Sequence, residues 1–427
     1  MSVVVAIGAQ WGDEGKGKVI DVLAEQAKFV VRFSGGDNAG HTIVNPFGKF
    51  ALQLVPSGIF YPTATCIIGN GVAVNPAVLI AEMDMLNSHG IATDTLVISD
   101  RANMIMPYHV LLDRLEEQAR GGGAIGTTGK GIGPVFSDKL ARYGIRFGDL
   151  LDRTAFRERL GAMLDIKNRL LTKVYGAEPL SLEGVYQQYL GYAERLAPHI
   201  QDATVLIDEA IARGDNVLLE GAQGTLLDPD FGTYPYGTSS PSVAGQGSVG
   251  AGIGPTKINR VIGVFKAYIT RVGAGPMPTV LTEAVGQAMR DRGHEFGTVS
   301  GRPRNCGWFD AVAARYATLV NGLTGAAITK LDVLDTQPTV KACVAYRLDG
   351  KTIDYFPSRI TDVARCEPVY EEFPGWQTPL NDVRRFADLP LKARRYLRRL
   401  AELIGAPIVL VGVGQERRQT IEVKSVW

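Results

Sequence analysis

Two glycine-rich stretches near the N-terminus hold the residue types that move phosphoryl groups. A β-branched run, Val3 to Ile7, leads into Gly8-Ala-Gln-Trp-Gly-Asp-Glu-Gly-Lys-Gly-Lys18, and Gly35-Gly-Asp-Asn-Ala-Gly-His-Thr42 follows. A strand ending in a glycine turn that bears lysines presents backbone N–H groups and a cation to phosphate at a helix N-terminus. Gly12 to Lys18 fits G-x-x-x-x-G-K, but Val19 stands where a Ser or Thr hydroxyl normally holds Mg²⁺. Asp13, inside the loop, is then the candidate hard-oxygen ligand, because Mg²⁺ takes one or two carboxylates with phosphate oxygens and water. The plainer alternative is a glycine turn with solvated charges after a core strand.

Five further segments carry recognisable chemistry. Gly121-Gly-Gly-Ala-Ile-Gly-Thr-Thr-Gly-Lys-Gly-Ile-Gly-Pro134 suits a loop folded around a second phosphate, with Thr127, Thr128 and Lys130 as donors, although its composition also suits a flexible linker. Glu220-Gly-Ala-Gln-Gly-Thr225 follows an apolar run and puts Gln223 where a base or ribose edge can be read. Beside Thr233-Tyr-Pro-Tyr-Gly-Thr-Ser-Ser240 stands Thr298-Val-Ser-Gly-Arg-Pro-Arg-Asn-Cys-Gly-Trp308. There Arg302 and Arg304, separated by a proline, form either a rigid double cation for carboxylate or phosphate or a pair of surface ion pairs. Ile328-Thr-Lys-Leu-Asp332 is similar to the N-K-x-D motif with which GTPases read guanine. A carboxylate there accepts from guanine N1–H and the exocyclic amine, whereas adenine N1 carries no proton. The motif favours GTP over ATP, and Val411-Gly-Val-Gly414 could wall the base pocket.

These residues need a scaffold of strand ends. Apolar runs at Val3 to Ile7, Phe29 to Phe33, Cys66 to Ile68, Leu96 to Ser99, Asn216 to Leu219, Val261 to Tyr268, Ala326 to Leu331 and Pro407 to Val413 alternate with helical patterns. Alternation of that kind predicts an α/β fold with a mostly parallel, helix-flanked sheet, whose ligands bind beyond the strand ends. Helices are expected over Pro76 to Ser88, Pro107 to Ala119, Ala155 to Val174, Leu182 to Leu196, Trp308 to Val320 and Leu391 to Ile404. Thr339 to Phe356 alternates around an Asp-Gly turn and predicts an antiparallel hairpin insertion. The basic run Lys392 to Arg399 reads as the solvated face of a helix.

The bulk numbers narrow the classes. Across 427 residues, 45 Lys+Arg against 44 Asp+Glu leave a net charge of +1, so no global field argues for nucleic acid or an anionic membrane. Glycine reaches 50 residues, above an average usage of ~7%, and the excess sits in loops. The four cysteines are far apart and fit neither a zinc site nor a disulfide framework. With no basic leader and no long apolar stretch, a cytoplasmic location is expected.

Taken together in this order, Gln10 to Lys18, Gly36 to Thr42, Gly126 to Pro134, Glu220 to Gly224 and Ser300 to Arg304 resemble the adenylosuccinate synthetase family, with no departure at a motif position. The resemblance spans the chain and implies one P-loop-type domain over residues 1–427 with inserted subdomains. It implies that IMP, L-aspartate and GTP give adenylosuccinate, GDP and phosphate through a 6-phosphoryl-IMP intermediate, on the route from IMP to AMP. By similarity Asp13 is the base and, with the Gly40 carbonyl, a Mg²⁺ ligand; His41 is the acid; Lys16 neutralises the transferring group.

The rest of the implied GTP site is Gly12, Gly15, Gly17, Lys18, Thr42, Arg304, Lys330, Leu331, Asp332, Gly412, Val413 and Gly414, beside Lys16, Gly40 and His41. The implied IMP site is Asp13, Asn38, Thr128, Gln223, Thr238 and Arg302, with Arg142 reaching the IMP phosphate of the other subunit of a homodimer. The implied aspartate loop is Thr298, Val299, Ser300, Gly301, Arg302 and Arg304. Two other classes use similar parts: a regulatory GTPase, which needs only one nucleotide site, and another GTP- or ATP-driven ligase.

Overall fold

A computed structural model describes residues 2–297 and 301–427. Its centre is a ten-stranded sheet in the order Ile200–Gln201, Leu96–Ser99, Thr65–Ile68, Phe29–Arg32, Val217–Glu220, Val3–Gly8, Arg260–Lys266, Gly325–Thr329, Ile408–Gly412 and Thr420–Glu422. Every pairing is parallel except the last, where Thr420–Glu422 runs back along Ile408–Gly412. All eight expected strands are in it. Burial on both faces explains why they read as unbroken apolar runs. Val3, Val5 and Ile7 point into one core cluster, and Val4 and Ala6 into the cluster on the opposite face.

Local chemistry sets most boundaries. Pro76–Ser88 starts behind Asn75, whose side chain accepts from Ala77 N, and Pro76 occupies the first turn, where its missing N–H costs nothing. Leu391–Ile404 buries Ala393, Tyr396, Leu397, Leu400, Leu403 and Ile404, which leaves its arginines outside; Arg399 pairs with Glu371 and Glu402. The basic run is thus a solvated helix face. Thr339–Leu348 and Lys351–Ile353 form the expected hairpin, with Asp349 and Gly350 both at positive φ as a tight turn of this hand requires. Glu367–Pro374 adds a further antiparallel strand to it.

Two expectations need correction, and one helix went unforeseen. The helix expected from Trp308 begins at Ala311, because Asn305–Gly307 pairs with Ile269–Arg271 and Asp310 caps the helix by accepting from Ala313 N. The glycine loop ends sooner than Pro134: Ile132–Ala141 is a helix, opened by Gly131 at φ 81°. Ala203–Arg213, capped by Asp202, is a helix that the apolar pattern had not singled out.

The sheet places the phosphate loop at its middle. Gly8 ends the central strand where a Cβ would lie 2.4 Å from Gln223 O and 2.5 Å from Glu14 Oε2, so only glycine fits. Thr225 Oγ1 donates to Gly8 O at 2.8 Å, and Thr329 Oγ1 donates to Glu14 O at 2.5 Å. The segment after Val217–Glu220 on one side and the end of Gly325–Thr329, two strands away on the other, thereby pin the loop.

Candidate active site

Beyond the C-terminal strand ends lies a cleft of about 1550 Å³, larger than the ~300–1,000 Å³ of a single small-molecule pocket, so it accommodates more than one ligand. Asp13, Lys16, Lys18, Asn38, Gly40, His41 and Thr42 line it from the N-terminal segments. Thr128, Gln223, Thr238, Arg302, Arg304, Lys330, Asp332 and Gly414 complete the wall, together with Gly12, Gly15 and Gly17. Segments spread over the whole chain therefore meet in one cavity.

Four of these site candidates hold left-handed backbone: Asp13 at φ 59°, Gln223 at 54°, Lys330 at 54° and, outside the cleft, Arg142 at 68°. Such conformations cost about 1–2 kcal/mol for a residue with a Cβ and persist where surrounding contacts enforce them. Arg304 Nε lies 2.8 Å from Asp13 Oδ2.

His41 is oriented from behind. Its Nδ1 lies 2.5 Å from Glu220 Oε1, so Nδ1 carries the proton and Nε2 is left buried without a partner on the cleft side. Ser57 holds the same carboxylate twice, through N at 2.8 Å and Oγ at 2.9 Å. Burial pulls the His41 pKa down, against the pull of Glu220. Burial would raise Glu220, but His41 and Arg32 hold it below the usual carboxylate range. Burial thus favours the neutral imidazole, and an anion arriving at Nε2 would favour its cation. Glu220→Gln keeps the shape and removes the charge that stabilises that cation; kcat should fall about 100-fold with KM values nearly unchanged, read by steady-state kinetics.

Lys16 Nζ donates to Glu14 Oε2 at 2.7 Å and to Gln223 O. Glu14, fully buried, also accepts from Gln10 N and Gly12 N at 3.0 Å each, which fixes the loop. Lys18 turns elsewhere: Nζ donates to Gly414 O and Gln419 O, both at 2.8 Å, so its ammonium braces the C-terminal wall. Burial lowers its pKa to about 8. Asp332 faces the cleft with Oδ1 buried and without a hydrogen-bond partner, and burial raises its pKa. An acceptor left open in this way is built for a donor from outside the chain.

Other candidates sit differently. Gln223 Nε2 donates to Asn38 Oδ1 at 3.2 Å, joining two segments of the implied IMP site. Arg302 Nη2 donates to Gly126 O at 3.3 Å, which joins the arginine hairpin to the glycine loop that carries Thr128. Lys130 lies 4.0 Å from the buried Asp37 carboxylate and outside the cleft lining. Leu331 and Val413 point into the core, leaving only their backbone for a ligand, while Gly412 ends its strand and Gly301 is exposed. Arg142 is exposed at the C-cap of Ile132–Ala141. Thr298, Val299 and Ser300 lie outside the described residues.

Sequence reasoning missed three buried glutamates that hold site residues in place: Glu14 on Lys16, Glu220 on His41, and Glu295 on Lys330 and Arg304. Two were in view as the acid inside the phosphate loop and the first residue of Glu220-Gly-Ala-Gln.

The adenylosuccinate synthetase family model matches residues 4–421 of the chain. The chain belongs to the adenylosuccinate synthetase family. It is 54% identical over 421 residues to the adenylosuccinate synthetase of Dehalococcoides mccartyi, covering 99% of this chain and 100% of that protein. It is 56% identical to that of Heliobacterium modesticaldum, covering 99% of each. Among solved structures, the fully ligated adenylosuccinate synthetase from Plasmodium falciparum superposes with a TM-score of 0.94 at 37% identity, over 99% of this chain and 100% of that one. Membership of this family accounts for a cleft large enough for several ligands.

Proposed function

We propose that the ligation of IMP to L-aspartate, driven by GTP, runs in this cleft through a 6-phosphoryl-IMP intermediate. The oxygen on C6 of hypoxanthine is a poor leaving group, so converting it to a phosphate ester replaces one hard displacement with two easier ones. Asp13 takes the N1 proton of IMP, which raises the charge on O6. O6 then attacks the γ-phosphorus of GTP; the O6–P bond forms, the bond to the β-phosphate oxygen breaks, and GDP leaves. In the second step the amine of aspartate adds at C6 and the C6–O bond breaks, releasing phosphate.

The chain's own groups supply the electrostatics. Lys16 and the loop amides neutralise the group in flight, as positioning and charge stabilisation dominate phosphoryl transfer. His41, held by Glu220, donates from Nε2 to the phosphate oxygens once their charge has drawn a proton onto the ring. Asp332 accepts from guanine, with Lys330 beside it, and Gly414 contributes to the wall near the base. Asn38, Thr128, Gln223, Thr238 and Arg302 hold IMP, and the loop up to Arg304 takes aspartate. Asp13 and the Gly40 carbonyl would hold Mg²⁺, which among the described residues finds no cluster of three or more acidic, His or Cys ligands. That sparse set fits an ion that keeps phosphate oxygens and water as its other ligands. When bound, Mg²⁺ adds positive charge along the triphosphate.

Residues 1–427 act as one domain with inserted subdomains, and two copies pair so that the exposed Arg142 serves the partner's IMP phosphate. The protein works in the cytoplasm; no helix among the described residues is long and apolar enough to cross a membrane. The observation that carries the reading is His41 braced by Glu220 in the same cleft as Asp13 and Lys16, an acid–base pair at a phosphate loop that a nucleotide switch does not need. Ultraviolet absorbance tests it, because adenylosuccinate absorbs differently from IMP. The change should require IMP, aspartate, GTP and Mg²⁺ together; GTP hydrolysis without IMP or aspartate would instead indicate a switch or another acceptor.

A further inference from the structure

Glu295 is fully buried at the foot of the hairpin that carries Arg302 and Arg304, and it holds Arg304 together with cations from two distant segments. Lys266, at the end of its strand, places Nζ 3.0 Å from both carboxylate oxygens. Lys330, in the guanine-reading turn, donates to Oε1 at 2.7 Å. Arg304, on the returning arm of the hairpin, donates Nη1 to Oε2 at 2.6 Å, and its backbone N donates to Glu295 O at 2.9 Å. The Tyr268 hydroxyl also donates to Oε1. Burial would raise the Glu295 pKa, but the three cations hold it far below the carboxylate range.

Three cations at one buried point repel one another unless an anion lies between them. Glu295 is that anion, and Arg304 carries the connection on to Asp13. The guanine turn, the aspartate hairpin and the catalytic loop thus share one carboxylate.

We propose that Glu295 is a positioning residue that couples the guanine site to the aspartate site, so that loss of its charge weakens both substrates together while leaving IMP largely unaffected. The proposal rests on the reading of Lys330 with Asp332 as the guanine site and of the loop ending at Arg304 as the aspartate site.

Steady-state kinetics of Glu295→Gln test it. The KM values for GTP and aspartate should each rise about tenfold, with the KM for IMP within about twofold, and Glu295→Asp should recover part of both losses. A merely structural role would lower kcat through the folded fraction and leave all three KM values alone, which overturns the proposal; so does a rise in only one of the two. If Glu295→Gln does not fold, Tyr268→Phe removes one donor from the carboxylate without altering any charge. It should raise the GTP and aspartate KM values together by about twofold to threefold. Unchanged values in that variant overturn the coupling. Failure of the underlying reading is distinguishable, since wild-type protein would then show no absorbance change dependent on aspartate and GTP.

Discussion

Replacing Asp13 with alanine should lower kcat by roughly 10³-fold or more, the scale of a general base that also supports a metal. Binding of GTP and IMP, measured by calorimetry, should change little, because Lys16, the loop amides and Asn38 remain. Asp13 faces the cleft in left-handed backbone with Arg304 at 2.8 Å. Removing the carboxylate leaves Arg304 paired with Glu295, so the cation is not stranded. Asp13→Asn is the stricter control, since Asn tolerates left-handed backbone and keeps the volume while losing the base. Near-wild-type turnover in either variant would remove Asp13 from the proton transfer.

Asp332→Asn should lower kcat/KM for GTP by about 10-fold to 100-fold, the equivalent of the ~1.5–3 kcal/mol carried by hydrogen bonds to a charged acceptor. The preference for GTP over ATP should relax in the same proportion, because an amide can also donate to an unprotonated ring nitrogen. The free protein should not be destabilised: Asp332 Oδ1 is buried with no hydrogen-bond partner, and neutralising it removes a burden. An unchanged preference between the two triphosphates, measured by competition, would show that guanine is read elsewhere.

The strands were legible because each is buried on both faces, so apolar runs such as Val3 to Ile7 and Leu96 to Ser99 carry the whole signal locally. The glycine-rich loop and the strand-ending Asp332 stood out for a related reason, since both are local patterns, and the structure brings them with His41 into one cleft. The start of the helix at Ala311 was not, since it depends on Asn305–Gly307 pairing with Ile269–Arg271. Lys18 reads as a phosphate ligand in its motif, yet the structure turns its ammonium to carbonyls 396 and 401 positions away. Glu295 was invisible for the same cause, since three of its partners come from other segments and only the folded sheet brings them within reach.

That long reach from Lys18 has a consequence for how the enzyme comes into being. Translation delivers the phosphate loop first and the wall at Gly414 and Gln419 last, while the central strand waits in the middle of the sheet for neighbours at Val217–Glu220 and Arg260–Lys266. A ribosome-bound fragment ending before Ile408 lacks an edge of the sheet and the brace on Lys18 together. The last strands of the sheet thus supply together the Gly414 wall of the cleft and the carbonyls that brace Lys18.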